Sequence, residues 1–291
     1  MTLDPIIISV AGFTIKLISQ SADISLEEGY TPFVLPKYKG KADILINAIP
    51  GIPEELLQRA ELLFEGSNEL QKFFSVYKFG QSYKIIVYNQ QNINSVQQVA
   101  VVSDDFSEWK VYSNLLNDSN AVCPLQYPLG PLVLYYLTVK YDAIMIHASG
   151  CFDGQKGRIF SGFSGVGKST MSRLWQQSNC VIVNDDRLII RKESDGYVMH
   201  NTPMFYADMP KKAPLNSINL IRHSPENTIK KLSGATAVSR VMVNCIQHGY
   251  NKEAIGHHLT FLSQLCGQVS VYEVGFKPDI SIVDFIKANE I

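Results

Sequence analysis

Eight residues, GFSGVGKS (162–169), constrain the fold of this chain more than any other stretch. The apolar run GRIFS precedes them and KSTMSRLWQQS follows, with Met171, Leu174 and Trp175 at i, i+3 and i+4. That spacing predicts a helix with one buried face. Strands alternating with a helix predict an α/β core for this part of the chain. The loop itself matches G-x-x-x-x-G-K-[ST], the pattern of a turn that cradles phosphate. Its glycines let successive backbone N–H groups turn inward with no Cβ in the way. The start of the following helix adds partial positive charge at the same point. Lys168 reaches toward the β and γ oxygens of a nucleotide, and the Ser169 hydroxyl suits the shell of a Mg²⁺ ion. The predicted cradle is Gly162, Phe163, Ser164, Gly165, Val166, Gly167, Lys168 and Ser169, ending at Thr170, which reads more as first helical turn than as ligand.

A second motif follows at VIVNDDRLII (181–190). Side chains alternate along a strand, so Asp185 and Asp186 can serve one site only where the strand ends and the chain turns. One carboxylate near Mg²⁺ and one near an acceptor hydroxyl would divide the work of phosphoryl transfer. Arg187 directly after the pair fits two roles, stabilising transferred charge or making a surface ion pair. Upstream, His147 in IMIHASG precedes three small residues on a predicted strand beside the loop strand. There it would tune the carboxylates or contact the γ-phosphate. His200, His223, His248, His257 and His258 show no metal-ligand spacing, and the His257–His258 pair is expected on a helix surface.

The first third carries no such constellation. PIIISVAGFTIKLIS alternates around Gly12, and YKIIVYN, VQQVAVVS and EWKVYS are short β-branched or aromatic runs bounded by polar turns. IPEELLQRAELLFEG (52–66) predicts a helix opened by Pro53, faced by Leu56, Leu57, Leu62 and Leu63 and stopped by Gly66. YPLGPLVLYYLTVKY (127–141) predicts an apolar helix at the joint between a strand-rich domain, 1–125, and a loop-bearing domain, 126–291. Beyond residue 234 the pattern predicts two helices, a closing strand at VSVYEVGF and a terminal helix at ISIVDFIKANE.

Composition excludes several classes. A chain of 291 residues with 46% apolar and 18% charged content is folded and globular, large enough for one big or two modest domains. A net charge of −1 and no basic patch leave nucleic acid without a footing. Cys123, Cys151, Cys180, Cys245 and Cys266 are scattered with no C-x-x-C pair, which predicts reduced thiols and a cytoplasmic setting. The opening MTLDPIIISVAGFTIKLISQ lacks a positive n-region and reads as a strand pair, not a leader. No apolar run is long enough to span a bilayer, so no membrane partner is expected.

IHASGCFDGQKGRIFSGFSGVGKSTMSRLW followed by CVIVNDDRLII resembles the catalytic domain of HPr serine kinase/phosphorylase and, more distantly, the nucleotide site of phosphoenolpyruvate carboxykinase. It looks closest to short HPr-kinase-like proteins that carry a Thr-Pro segment and a SPEN-type stretch, as in NTPMFYADMPKKAPLNSINLIRHSPENTIKKLS. The likeness covers roughly residues 143–245. It implies an α/β fold of mixed α+β type, with a P-loop core of the HPr-kinase/PEP-carboxykinase kind behind a smaller strand-rich domain. By position it places Lys168 on the phosphates, Ser169 on Mg²⁺, and Asp185 and Asp186 on metal and attacking hydroxyl, with His147 assisting. ATP and Mg²⁺ are the implied cofactors, and a serine of a protein or peptide the implied acceptor. A homo-oligomer is the assembly that accompanies such relatives. Two departures stand out. Asn201 replaces the family's Gly before Thr-Pro, with bulky Met204, Phe205 and Tyr206 in the turn and Asp208 in place of its acid. The glycine-rich, arginine-containing loop that HPr kinases use around a protein substrate is missing. HPr itself and the phosphorylase reaction are therefore not expected. A nucleotide-binding regulator without transfer activity is the alternative, ahead of a carboxykinase, whose second-metal and oxaloacetate ligands are not found.

Overall fold

The computed structural model describes residues 4–58, 60–92, 95–116 and 119–290. Backbone contacts divide the chain into two compact units. One runs to Lys140 and takes in Pro203–Met209 and His248–Tyr250; the other comprises Tyr141–Thr202, Pro210–Gln247 and the chain from Asn251.

The first unit is built on ten strands: β1 (Ile6–Val10), β2 (Phe13–Ile18), β3 (Asp23–Ile24), β4 (Ile44–Pro50), β5 (Leu62–Ser67), β6 (Lys72–Phe79), β7 (Ser82–Tyr88), β8 (Val96–Val102), β9 (Glu108–Ser113) and β10 (Ala121–Val122). Eight of them form one sheet in the order β1-β2-β4-β9-β8-β7-β6-β5, while β3 pairs with β10. The β1–β2 hairpin turns through Ala11 and Gly12 at φ 53° and 76°, the paired positive angles that a two-residue hairpin needs. Alternate residues Ile8, Ile15, Ile44, Ile46, Val99 and Val111 are fully buried. Helix α2 (Leu129–Lys140) is apolar nearly all round and accordingly buried over most of its length.

The helix predicted over 52–66 is a correction. Only α1 (Glu54–Leu57) is helical; Gln58 is already extended, Arg59 lies outside the described residues, and Leu62–Ser67 is strand β5. Leu62, spaced six residues from Leu56, falls off any common helical face, and pairing with β6 satisfies its backbone instead. Gly66 acts here as a strand glycine: a Cβ would meet the Phe74 ring at 2.3 Å, so the cross-strand ring occupies its place.

The second unit holds β11 (Ala143–Phe152), β12 (Gly157–Ser161), α3 (Lys168–Gln177), β13 (Val181–Asn184), β14 (Arg187–Glu193), β15 (Gly196–Asn201), β16 (Lys212–Pro214), β17 (Ser217–His223), β18 (Thr228–Leu232), α4 (Gly234–Met242), α5 (Lys252–Gln268), β19 (Ser270–Phe276) and α6 (Ser281–Asn289). The sheet runs β16-β15-β14-β11-β12-β17-β19-β18, with β13 also on β11. β12, β17 and β19 are mutually parallel and the other pairings antiparallel, giving a mixed sheet. Alternation sorts neighbouring residues to opposite faces. Ile159, Leu220 and Val271 pack with Ala237, Val241, Leu262 and Leu265 of α4 and α5. Phe160, Ile221 and Tyr272 pack with Met171 and Trp175 of α3 and with Ile282 and Ile286 of α6. Helices therefore cover both faces of this mixed α/β unit.

One histidine corrects the surface expectation: His258 on α5 is fully buried, with the Gln247 side chain on its Nδ1 at 2.9 Å. All five cysteines are free. Among the described residues no helix is long and apolar enough to cross a membrane.

Candidate functional site

β12 delivers the chain to Ser161, and the glycine loop carries it over into α3. Two glycines make that turn possible. Gly165 sits at φ 81° in open space, and Gly167 at φ 101° lies where a Cβ would strike Phe276 Cζ at 2.8 Å. Neither conformation suits a side-chain-bearing residue. Val166 between them is fully buried in the cluster of Phe160, Trp175 and Phe276 and pins the loop to the sheet. Phe163, Ser164 and Ser169 face solvent, and Thr170 accepts a 3.4 Å bond from Arg173 within the helix. No side chain caps the start of α3, so the first amides of that helix keep their donors for another acceptor.

Lys168 does not extend into solvent. It is 7% exposed, and its Nζ donates to the carbonyls of Gly162 at 3.1 Å and Phe163 at 3.2 Å. Burial lowers its pKa from the ordinary lysine range, and the Asp186 carboxylate opposes that shift. Ser149 Oγ donates to the Lys168 carbonyl at 3.3 Å, tying the first helical turn to β11.

The acid pair occupies a two-residue break. β13 stops at Asn184 and β14 resumes at Arg187, both pairing antiparallel to β11. At that break Ala148 N donates to Asp186 O at 3.0 Å. Asn184, 4% exposed, secures the turn from beneath: its Oδ1 accepts Asp186 N at 2.9 Å and its Nδ2 donates to Thr202 O at 3.1 Å. Thr202 Oγ1 returns a bond to Arg187 O at 3.0 Å. Asp186 offers Oδ1 to His147 Nε2 at 3.6 Å and Oδ2 to Arg187 Nη1 at 3.0 Å. Asp185 is half-buried and makes no hydrogen bond or ion pair among the described residues.

His147 lies across from Arg187 on β11, and Ser161 Oγ, at the end of the loop strand, donates to its carbonyl at 2.7 Å. Burial lowers its pKa first and the Lys168 charge second, against an upward pull from Asp186. The imidazole is therefore neutral at pH 7. The fold thus brings Lys168, Asp186 and His147 within electrostatic reach of one another. Asp208 groups with the first unit, and Asn201 serves as a clasp, its Oδ1 accepting Lys211 N at 2.7 Å.

Asn184, Ser161 and Thr202 are the residues that sequence reasoning missed. Their only local signals are an Asn directly before two acids and a Thr before Pro203. His223 is a fourth: it ends β17 with Cε1 3.7 Å from where a Gly167 Cβ would stand. Among the described residues no three His, Cys, Asp or Glu side chains form a ready metal cage. A cation here would take Ser169 and the acid pair as partial ligands, a sparse oxygen set of the kind that suits Mg²⁺ alongside phosphate and water. Chemically, the uncapped first amides of α3 and a buried ammonium suit a polyanion, and adjacent carboxylates suit a hydroxyl proton.

No family model matches the sequence, and no curated protein does. Among solved structures the chain is similar to the HPr(Ser) kinase/phosphatase from Coxiella burnetii, at 9% identity and a TM-score of 0.30, over 50% of this chain and 90% of that one.

Proposed function

We propose that the second unit binds ATP at Gly162–Thr170 and transfers its γ-phosphoryl group to a hydroxyl, that of a serine in a protein or peptide. One observation carries the reading: the buried Lys168 ammonium is held on the glycine-loop carbonyls of Gly162 and Phe163, within the field of Asp186, beside which His147 lies at 3.6 Å. A phosphate tail would replace the two carbonyls that now hold Lys168 Nζ. The uncapped amides of α3 would bind the same oxygens. Ser169 and Asp186 would hold Mg²⁺, which would supply charge neutralisation on the phosphate oxygens.

Asp186 Oδ2 is paired with Arg187 at 3.0 Å and its Oδ1 lies 3.6 Å from the His147 ring, while Asp185 is free of such contacts among the described residues. The reading therefore gives Asp186 the positioning of the phosphate end and Asp185 the proton of the attacking hydroxyl. The hydroxyl oxygen bonds to the γ-phosphorus, the bond to the β,γ-bridging oxygen breaks, ADP leaves, and the proton passes to Asp185. Little more than such positioning is needed for phosphoryl transfer.

The ion pair between Asp186 and Arg187 also favours a second reading, a nucleotide-binding regulator in which that carboxylate is structural. Purified protein with Mg²⁺, γ-labelled ATP and a serine-containing peptide library separates the two. Label on peptide, lost in Asp185→Asn with ATP binding retained, is the expected result. Tight ATP binding with no transfer and no hydrolysis supports the regulator, and absence of ATP binding overturns both.

A further inference from the structure

The loop glycines have a neighbour on the side away from the acids. β12, β17 and β19 run parallel; Ser161 at the end of β12 pairs with Leu220, and β17 and β19 continue three residues further to the paired ends His223 and Phe276. Ligands of such sheets sit outside the carboxyl ends of parallel strands. His147, Asp185 and Asp186 all come from β11 and its partners β13 and β14, on one edge of β12. β17 and β19 occupy the other edge. A nucleotide bound extended, with its γ-phosphate toward the acids, directs its base the opposite way, over the ends of β17 and β19.

The side chain waiting there is His223. It is exposed, and its register partner Phe276 is fully buried. The two rings stack with centroids 5.6 Å apart and planes 27° apart, so buried Phe276 braces the exposed imidazole. The pair abuts the loop where α3 begins, since a Cβ on Gly167 would stand 2.8 Å from Phe276 Cζ and 3.7 Å from His223 Cε1. Arg222 does not share the task. Alternation sends it to the opposite face, where its Nε lies 3.6 Å from Glu273 Oε1.

We propose that His223, supported by Phe276, is the platform on which the base of the bound nucleotide stacks; the proposal rests on reading the glycine loop as a nucleotide site. A flat, braced ring beside a phosphate cradle offers stacking to any base, so the platform adds affinity without choosing between purines.

The test uses two probes, Mg-ATP and Mg-tripolyphosphate, titrated by calorimetry into the full chain, His223→Ala and His223→Phe, with melting curves to confirm folding. His223→Ala is expected to weaken ATP about tenfold and leave tripolyphosphate unchanged, while His223→Phe holds ATP within about twofold. Equal loss of both probes in His223→Ala would place the imidazole on the phosphates and overturn the platform. So would unchanged ATP binding. Wild-type protein that binds tripolyphosphate but not ATP leaves the cradle standing and removes the platform. Binding of neither probe removes the nucleotide reading itself.

Discussion

Each unit buries a lysine, and the two are treated differently. Lys84 on β7 is 1% exposed, its Nζ donating to the Gln58 carbonyl between the rings of Tyr77 at 5.6 Å and Phe79 at 5.4 Å. Lys168 is 7% exposed and also donates to backbone carbonyls, but the charge that faces it is the Asp186 carboxylate. Burial lowers both pKa values, and only at Lys168 does a counter-charge oppose it. The aromatic surroundings of Lys84 complete its environment and bind the strands. Lys168 is held by two carbonyls of the glycine loop, which it would have to leave on meeting a stronger anion. The comparison separates a cation enclosed by aromatic rings from one that faces a carboxylate.

The largest expected effect comes from breaking that contrast directly. Lys168→Ala should weaken Mg-ATP about 100-fold, because a charge-assisted contact to phosphate is lost, and should leave the urea unfolding midpoint unchanged or higher. Lys84→Ala should do the reverse. It loses the packed stem and leaves the Gln58 carbonyl without its donor, lowering stability by about 2 kcal/mol while ATP affinity holds. Calorimetry and urea titration on both variants decide it. Loss of ATP binding in Lys84→Ala, or unfolding of Lys168→Ala, would erase the distinction.

What made Lys168 legible in sequence was locality. Gly162 to Ser169, the helical face of Met171 and Trp175, and the Asp185–Asp186 pair each declare themselves within a few residues, and β7, β8 and β9 do so as short β-branched or aromatic runs between polar turns. The misread segment 52–66 has leucines enough for a helix face, but its second half is claimed by β6, a partner that local pattern does not reveal. Strand β18, TIKKL, is polar and exposed because it lies at the sheet edge, so no apolar alternation marks it. The same limit hid His223 and Asn184. His223 reaches the loop only because β17 pairs with β12 across some sixty residues of sequence. Asn184 matters because Thr202 returns to it from the far end of β15.

Acid sharpens the contrast between the units. His248, in the first unit, stacks on Phe64 at 4.8 Å, lies tilted against Tyr135 at 4.1 Å and meets the Tyr136 hydroxyl at 3.2 Å through Nδ1. Burial lowers its pKa from 6.5 to about 3. Below 6.5 the unfolded chain takes up a proton that the folded chain refuses. Its contribution is therefore whole above pH 6.5, falls by about 1.4 kcal/mol per unit as the pH drops toward 3, and then levels off. Asp153 in the second unit runs to a lower window. Burial raises its pKa, but the Lys156 amide and the Arg158 guanidinium outweigh it and bring it to about 2, so its contribution fades only between about pH 4 and 2. Between pH 7 and 5 the His248 share is about 2 kcal/mol. His147 and His200 are lowered as well, so the check is a difference: His248→Phe should flatten the pH dependence of the urea midpoint by that amount. An unchanged slope would mean that His248 can be protonated in the folded state.

The smallest effect probes the acid turn, where the second unit spends a buried amide on geometry. Asn184 touches no site that a nucleotide would reach; it holds Asp186 N at 2.9 Å and Thr202 O at 3.1 Å, and so fixes the break that presents both acids. Asn184→Ala leaves Asp186 N without its side-chain acceptor and lets the two carboxylates drift, while the glycine loop, Lys168 and the start of α3 keep their own supports in Val166 and Ser149. A misplacement of that kind is felt in the chemical step before it is felt in binding. Transfer or hydrolysis of ATP should fall about tenfold in kcat with the ATP Kd held within about twofold, and Asn184→Asp, which keeps the acceptor oxygen toward Asp186 N, should recover part of the rate. If Asn184→Ala instead raises Kd and kcat is untouched, the turn serves the cradle and not the acids, and the division of labour between Lys168 and the carboxylates has to be redrawn.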